Sequence, residues 1–295
     1  MEKEVKGAIF INGYGAHLGI KNSVNRLKEE FHNFGVDSID ILTSLDNLIV
    51  IDNGKINKKI KDYDFIIYLD KDKHISKMLE KCGYRLFNSS DSIEICDDKL
   101  LTAIALANNG IKLPKTIGSP VCMVDNPDLD KNLDELIDEL GLPMIVKENY
   151  GSLGNQVYLV KNKEELKEKR SELIYKPHLY QEFIKESSGR DIRVIALKNK
   201  VLGAMERFNP NSFKSNINGG GNGKPYNMDK ELEEITLKIM EIIGLDYAGL
   251  DFVKNSKGEY SLIEVNSNAF FNEFEKTTKI NVAKEYVNHI LKEIN

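Results

Sequence analysis

The sequence contains no tryptophan and only three cysteines, Cys82, Cys96 and Cys122. The cysteines are scattered, with neither a CxxC pair nor the Cys/His spacing of a zinc site. Isolated cysteines of this kind are usually reduced and buried. The pattern therefore disfavours a structural zinc site and a catalytic cysteine.

Long apolar runs are also absent. No stretch approaches the roughly 20 residues that span a bilayer, and the first apolar segment, residues 8–11, is too short for a signal peptide. We expect a cytoplasmic protein without a membrane partner. The net charge of −5 argues weakly against nucleic acid as a ligand, because binding to phosphates favours an excess of Lys and Arg.

What is present is an alternation of strand and helix patterns. Up to about residue 90, short apolar strands alternate with helices of three-and-four periodicity, which predicts a small α/β domain. Asn53-Gly54 between two strand patterns predicts a tight hairpin. Further on, Asp97 or Asp98 can cap a helix. Residues 209–226 are rich in Asn, Gly, Ser and Pro, and we predict a long functional or disordered loop there.

A first candidate site combines Lys147 with a glycine-rich loop, Gly151-Ser152-Leu153-Gly154. The lysine ends a predicted strand, and the loop joins it to the next strand. Glycines let backbone N–H groups approach phosphate oxygens, and the lysine adds a positive charge. Taken alone, the pattern fits an ordinary hairpin with an exposed lysine better than a phosphate site.

A second candidate site lies on two strands joined by a short turn. Asp251 is on the first strand, and Glu264 and Asn266 are two residues apart on the second. Residues two apart share one face of a strand, so the three oxygen-bearing side chains can meet. Oxygen ligands suit Mg²⁺. Because carboxylates among apolar residues are costly unless paired or bound to metal, we favour a metal site over a solvent-facing edge.

A third candidate is a group of cations. Arg193 and Arg207 lie on neighbouring predicted strands, and Lys214 follows in the long loop. Converging cations suit an anionic ligand. Solvated surface charges are the more common explanation of such a group by itself.

Together, these motifs in this order resemble the ATP-grasp superfamily, and most closely the RimK-like glutamate ligases. The resemblance runs from about residue 88 to the C-terminus. Eight stretches carry it: Asp98-Lys99-Leu100, Ile145-Val146-Lys147 with its glycine loop, Gln181-Glu182-Phe183-Ile184, Gly189-Arg190-Asp191-Ile192-Arg193, Phe213-Lys214-Ser215-Asn216, Gly249-Leu250-Asp251, Ile263-Glu264-Val265-Asn266 and Glu275-Lys276-Thr277-Thr278.

The resemblance implies a fold and domain boundaries. The fold is α/β (α+β): an ATP-grasp fold of two α+β subdomains after a small N-terminal α/β domain. We place the N-terminal domain at residues 1–90, a central subdomain with the glycine flap at 91–176, and a C-terminal subdomain with the metal site at 177–295.

The resemblance also implies roles for individual residues. ATP would be bound by Lys99, Lys147, Gly151, Ser152, Gly154, Gln181, Glu182, Phe183, Ile184 and Asp191. Within this set, Gln181 to Ile184 would contact adenine, and Asp191 would lie near the ribose. Arg193, Arg207 and Lys214 would be catalytic. One or two Mg²⁺ (or Mn²⁺) ions would be held by Asp251, Glu264 and Asn266.

The implied activity is ATP-dependent formation of an amide bond through an acylphosphate, with an amino acid such as glutamate joined to an acceptor. The carboxylate and amine substrates would be small molecules or peptides, and the protein a homo-oligomer. Two other hypotheses stay open: an ATP-grasp ligase of another substrate class in natural-product peptide synthesis, and an ATP-binding regulatory module without catalysis.

The sequence departs from the family at two places. Members usually carry an arginine before the Gly-Gly of the long loop, where this chain has Asn218-Gly219-Gly220-Gly221. Lys214 or Lys224 could replace that charge. After Glu264-Val265-Asn266, a Ser-Pro-Gly turn is common in the family, but residues 267–271 here read Ser-Asn-Ala-Phe-Phe. That segment borders the acceptor site in relatives, so we expect a different acceptor.

Overall fold

The computed structural model describes residues 5–15, 18–46, 49–215 and 221–294. Its three main sheets follow one another along the chain. No helix in these residues is long and apolar enough to cross a membrane.

The N-terminal part is a parallel sheet of four strands in the order β2-β1-β5-β6, beside a separate hairpin, β3-β4. Its elements are β1 (Gly7–Ile11), α1 (Leu18–Asn33), β2 (Ile39–Thr43), β3 (Ile49–Asp52), β4 (Lys55–Lys58), β5 (Phe65–Tyr68), α2 (Lys73–Lys81) and β6 (Leu86–Phe87). Asn53 and Gly54 both have positive φ, 48° and 71°, as a two-residue hairpin turn of the primed type requires. The predicted hairpin is confirmed.

The central part is an antiparallel sheet in the order β7-β10-β8-β9. Its elements are α3 (Ser90–Asp97), α4 (Lys99–Leu106), β7 (Thr116–Ser119), α5 (Leu133–Leu140), β8 (Met144–Glu148), β9 (Val157–Val160), α6 (Lys163–Leu173) and β10 (His178–Glu182). Asp98 is the residue that caps α4, accepting from the N–H groups of Leu100 and Leu101. Strand β10 follows our proposed boundary at 176/177, yet it pairs with the central sheet.

The C-terminal part is an antiparallel sheet in the order β13-β12-β11-β14-β15. Its elements are β11 (Arg190–Leu197), β12 (Lys200–Phe208), β13 (Asn222–Tyr226), α7 (Lys230–Ile243), β14 (Tyr247–Lys254), β15 (Tyr260–Asn266), α8 (Asn272–Thr278) and α9 (Val282–Ile294).

Strand β13 corrects our prediction that residues 209–226 form one loop. It pairs antiparallel with β12 at the sheet edge, where Pro225 can be accommodated because an edge strand leaves one row of backbone groups unpaired. The propensity of Asn, Gly and Pro for loops is overridden by this pairing. Residues 216–220 lie outside the described part of the chain.

The N-terminal and C-terminal parts share one core. A single apolar cluster includes Ile9 and Phe31 from the first and Tyr247 and Tyr286 from the second. Beside it, the buried side chain of Asn88 makes four hydrogen bonds to the C-terminal sheet. Its Nδ2 donates to the carbonyls of Tyr247 and Ser267, both at 2.8 Å, and its Oδ1 accepts from the N–H groups of Asp246 (2.7 Å) and Tyr247 (3.0 Å).

We predict that Asn88→Ala lowers the free energy of unfolding by about 3 kcal/mol, because it leaves buried backbone donors and acceptors without partners. Chemical denaturation measures this. The exposed Asn57 on β4 provides the control, since Asn57→Ala should change stability by no more than about 0.5 kcal/mol. Equal effects of the two substitutions would show that Asn88 does not hold the two parts together.

Candidate functional site

A cavity lies between the central and C-terminal sheets. Thirteen of the sixteen predicted site residues line it: Lys99, Lys147, Gly151, Ser152, Gly154, Gln181, Glu182, Phe183, Ile184, Asp191, Lys214, Asp251 and Glu264. The other three, Arg193, Arg207 and Asn266, line an adjoining cavity. The structure therefore brings together residues that are more than 160 positions apart in the chain.

The glycine loop between β8 and β9 covers the first cavity. Gly154 has a φ of 74°, a conformation that favours glycine. A Cβ on Gly151 would lie 2.5 Å from Oε1 of Gln156, and that same oxygen accepts from the N–H of Ser152 at 3.2 Å. Gly151 is therefore favoured because the loop folds tightly over the side chain of Gln156, the last residue of the predicted glycine-rich segment 150–156, and Gly154 is favoured by its backbone conformation.

Two lysines donate hydrogen bonds to backbone carbonyls of this loop. Nζ of Lys99, at the start of α4, donates to the carbonyl of Gly151 at 3.3 Å. Nζ of Lys214 donates to the carbonyl of Gly154 at 2.6 Å. Both cations therefore lie at the loop and line the cavity beneath it.

Lys147 is buried, with 8% of its surface exposed, which excludes the exposed-hairpin interpretation of this residue. It is on β8, opposite Leu179 of β10 and Val157 of β9. Burial and, to a smaller extent, the positive charge of Lys99 lower the pKa of Lys147 to about 8, against the opposing effect of Glu264 and Asp251. A buried ammonium without a direct ion pair gains strongly from an anionic ligand.

The far wall of the cavity begins where β10 ends. The chain leaves the sheet at Phe183 and Ile184, and both residues line the cavity. The Phe183 ring lies edge-on to Phe213, with ring centroids 6.4 Å apart. Oε1 of Glu182 already accepts from the N–H of Lys115 at 2.8 Å, so one of its two oxygens is committed to the fold. An apolar wall formed by residues that directly follow a strand suits a flat heterocyclic base.

A chain of buried ion pairs crosses the C-terminal sheet. In its register, Asp191 lies opposite Arg207 and Arg193 lies opposite Asp251. Arg207 binds Asp191 through Nε (2.7 Å) and Nη2 (2.6 Å), and its Nη2 also lies 2.9 Å from Oδ2 of Asp251. Arg193 binds Asp251 through Nε and, at 2.6 Å, through Nη2. Arg207 is buried and the side chain of Arg193 is only 13% exposed, so neither is a surface charge.

These ion pairs change the interpretation of two predicted site residues, Asp251 and Asp191. Burial by itself would raise the pKa of Asp251, but the charges of Arg193 and Arg207 outweigh it and lower the pKa. Both oxygens of Asp191 accept hydrogen bonds from Arg207, and the Ser215 hydroxyl also donates to Asp191. The geometry therefore favours a role for Asp191 in holding Arg207 over the expected contact with a ribose.

The remaining predicted metal ligands are less committed. Oε1 of Glu264 lies 3.7 Å from Nζ of Lys99, and Nδ2 of Asn266 is buried with no partner among the described residues. Because the two ends of an amide can exchange by rotation, Asn266 can present an oxygen at that point. No three His, Cys, Asp or Glu side chains in the described ranges form a metal cluster. Glu264 and Asn266 nevertheless fit a cation that also takes ligands from a substrate.

The second cavity lies between the N-terminal and C-terminal parts. It shares Ser152, Gly154 and Glu264 with the first cavity, so the two meet beneath the glycine loop. Arg193 and Arg207 line it beside this junction. Three residues of the unusual segment 267–271, namely Asn268, Ala269 and Phe270, also line it, where we expected an acceptor site.

The two lysines considered as replacements for the family arginine differ in position. Lys214 lines the first cavity, whereas Lys224 forms an ion pair with Glu206 at 2.7 Å. Of the two, Lys214 is the one placed to supply the positive charge of the family arginine. The Asn218-Gly219-Gly220 stretch itself lies outside the described residues.

Comparison with known proteins agrees with this architecture. The model of the RimK-like ATP-grasp domain matches residues 96–290. Beta-citrylglutamate synthase B of Homo sapiens is 32% identical over 219 residues, which are 72% of this chain and 55% of that protein. The chain thus spans about half the length of this relative. The glutamate–LysW ligase ArgX of Sulfolobus acidocaldarius is 32% identical over 245 residues, covering 79% of this chain and 84% of that protein.

A solved structure gives the same fold. The ATP-grasp ligase PsnB, complexed with a phosphomimetic variant of its minimal precursor, Mg and ADP, matches with a TM-score of 0.68 at 15% identity over 99% of each chain. At this identity the likeness establishes the fold, and the predicted ATP-grasp architecture is confirmed. The family model covers about two thirds of the chain, so the chain belongs to the RimK-like ATP-grasp family.

Proposed function

We propose that this protein is an ATP- and Mg²⁺-dependent carboxylate–amine ligase that joins a carboxylate to the amine of an amino acid such as glutamate. The observation that carries the proposal is the junction of two cavities beneath the glycine loop, with Arg193 and Arg207 beside it. The first cavity has the lysines and the apolar wall that ATP would need, and the second meets it at Ser152, Gly154 and Glu264 and is lined by the two arginines. Glutamate is part of the names of the two relatives described above.

The ATP site is built from both subdomains. Adenine would lie against Phe183 and Phe213, which line the first cavity. The phosphates would lie beneath the glycine loop, where Lys99, Lys147 and Lys214 converge. Since Lys99 and Lys214 already donate to carbonyls of this loop, an arriving nucleotide would offer them stronger, charged acceptors.

In the first step, the substrate carboxylate attacks the γ-phosphorus of ATP, and the bond to ADP breaks. In the second, the amine attacks the carbonyl carbon of the acylphosphate, phosphate leaves, and the nitrogen loses a proton. Arg193 and Arg207 lie where the transferred group passes and stabilise its negative charge. Their geometry is fixed in advance by Asp251 and Asp191, so little reorganisation is needed during the reaction.

Two Mg²⁺ ions (or Mn²⁺) would be held by Glu264 and Asn266 together with the phosphates, and Asp251 would join them by exchanging one of its contacts with Arg193 or Arg207 for the metal. When bound, they supply positive charge that neutralises the phosphate oxygens. The glycine loop excludes water and so protects the acylphosphate from hydrolysis.

Phosphate release from ATP and Mg²⁺ tests the proposal. The panel combines L-glutamate, or each other amino acid, with citrate, N-acetyl-L-aspartate and peptides that end in acidic residues. We expect release that requires one carboxylate and one amine, with mass spectrometry showing a product that contains one new amide bond. Tight ATP binding without product from any pair would overturn the ligase assignment in favour of a binding module.

Glu264→Gln should lower kcat at least tenfold and raise the Mg²⁺ concentration needed for half-maximal rate, because it removes a charged oxygen ligand beside the phosphates. Glu259→Gln is the matched control, since Glu259 is near the same β-hairpin turn but pairs with Lys112 outside both cavities. An unchanged Mg²⁺ dependence in Glu264→Gln would remove Glu264 from the metal site.

The affinity for ADP should fall by about tenfold or more between pH 7.5 and pH 9.5. With a pKa of about 8, Lys147 is charged below this range and neutral above it, and only the charged form attracts phosphate. Calorimetry at several pH values measures the effect. In Lys147→Arg the charge persists throughout, so the affinity should vary much less with pH; an equally steep profile would assign the titration to another group.

A further inference from the structure

One carboxylate in the second cavity has no role in the mechanism above. Asp70 follows β5 and lines the cavity on the N-terminal side, facing the wall that carries Arg193 and Arg207. Two neighbours fix its orientation: Asn12 Nδ2 donates to Oδ2 at 3.2 Å, and the N–H of Lys71 donates to Oδ1 at 2.7 Å. Each oxygen therefore keeps a lone pair for a ligand.

Asp70 also lacks a counter-charge. Nζ of Lys71 points to Asp97 instead, at 2.9 Å, and no Lys, Arg or His within the described ranges forms an ion pair with Asp70. Burial raises the pKa of Asp70, and the negative charges of Asp72 and Asp97 add to the rise. A half-buried carboxylate in this state gains from a cationic ligand.

The other carboxylates of this cavity are placed differently. Glu264 lies at the junction with the first cavity, near Lys99. Glu273, on α8, forms an ion pair with Lys276 at 2.7 Å. Among the described lining residues, Asp70 is thus the carboxylate that forms no ion pair, since the neighbouring Lys71 is paired with Asp97.

The topology of the N-terminal sheet independently indicates a ligand site at Asp70. In the N-terminal sheet, β1 lies between β2 and β5 and is parallel to both, so the chain reverses its direction of travel across the sheet between β1 and β5. The crevice beyond the carboxyl ends of strands at such a point is where open α/β sheets bind ligands. Asn12 immediately follows β1, and Asp70 closely follows β5, so the bonded pair lies in that crevice.

We propose that Asp70 binds the ammonium group of the arriving amine substrate in the second cavity, on the wall opposite the arginines. The group gives up one proton to water before its neutral nitrogen attacks the acylphosphate. The inference rests on the proposed ligase function and deepens it. The substrate class is an α-amino acid or a peptide amine. A substrate that lacks a positive charge would find an uncompensated carboxylate on this wall and bind poorly.

A partial reaction separates amine binding from phosphoryl transfer. Hydroxylamine, which is uncharged at pH 7.5, captures the acylphosphate as a hydroxamate without needing the amine site. The test compares this capture with amide formation from L-glutamate, using ATP, Mg²⁺ and the carboxylate that gives most phosphate release in the panel above.

In Asp70→Asn, the rate of hydroxamate formation should stay within about twofold of the wild type. The kcat/KM for L-glutamate should fall by about tenfold to a hundredfold, mainly through KM, which is the effect of losing a charged hydrogen bond. Glu273→Gln, on the opposite wall of the same cavity, should alter neither rate. Thermal unfolding of both variants checks that they are folded.

Two results would overturn the assignment of Asp70: an unchanged KM for L-glutamate in Asp70→Asn, or an equal loss of hydroxamate and amide, which would indicate a role in shaping the cavity. The failure of the proposed function looks different. The wild-type protein would then form neither hydroxamate nor amide with any carboxylate of the panel.

Discussion

The site is organised by one buried carboxylate that holds two arginines. Asp251 binds Arg193 through two nitrogens and also contacts Arg207, whose remaining charge is met by Asp191. Without the carboxylates, two guanidinium groups could not be kept this close away from water, since a buried charge that is not compensated costs several kcal/mol. The pairing therefore holds two guanidinium groups at fixed positions inside a folded sheet, with their charges compensated by two carboxylates.

The ion pairs in turn depend on strand register. Asp191 and Arg207 face each other across β11 and β12, and Arg193 and Asp251 face each other across β11 and β14. A slip of one residue would turn each side chain to the other face of the sheet. The same central strand, β11, thus carries one member of each opposing pair. The next two residues of the strand, Val194 and Ile195, are fully buried and help to fix that register.

Part of the secondary structure and of the candidate site could be predicted from the sequence, because the patterns that indicate them lie within short segments. The Asn53-Gly54 turn predicted a hairpin and Asp98 was one of two residues predicted to cap a helix, and both features are observed. Asp251, Glu264 and Asn266 were placed on two paired strands, as they are in the structure. Sequence spacing could not show that Asp251 binds arginines, because that depends on which strand lies beside β14. For the same reason β13 was missed, since its pairing with β12 is tertiary.

Individual side-chain environments were also beyond local patterns. Lys147 reads as an exposed hairpin residue, and its burial results from the packing of two subdomains. Asp70 had no motif around it at all. It becomes noticeable only when the carboxyl ends of β1 and β5 are seen to border the second cavity.

The shared core and the Asn88 hydrogen bonds have a consequence for substrate choice. They join the N-terminal sheet to the C-terminal sheet, and these two parts are the opposing walls of the second cavity. The distance between Asp70 on one wall and the arginines on the other is therefore set by the fold. Because one wall holds the amine substrate and the other the acylphosphate, the combined size of the two substrates becomes a criterion of selection.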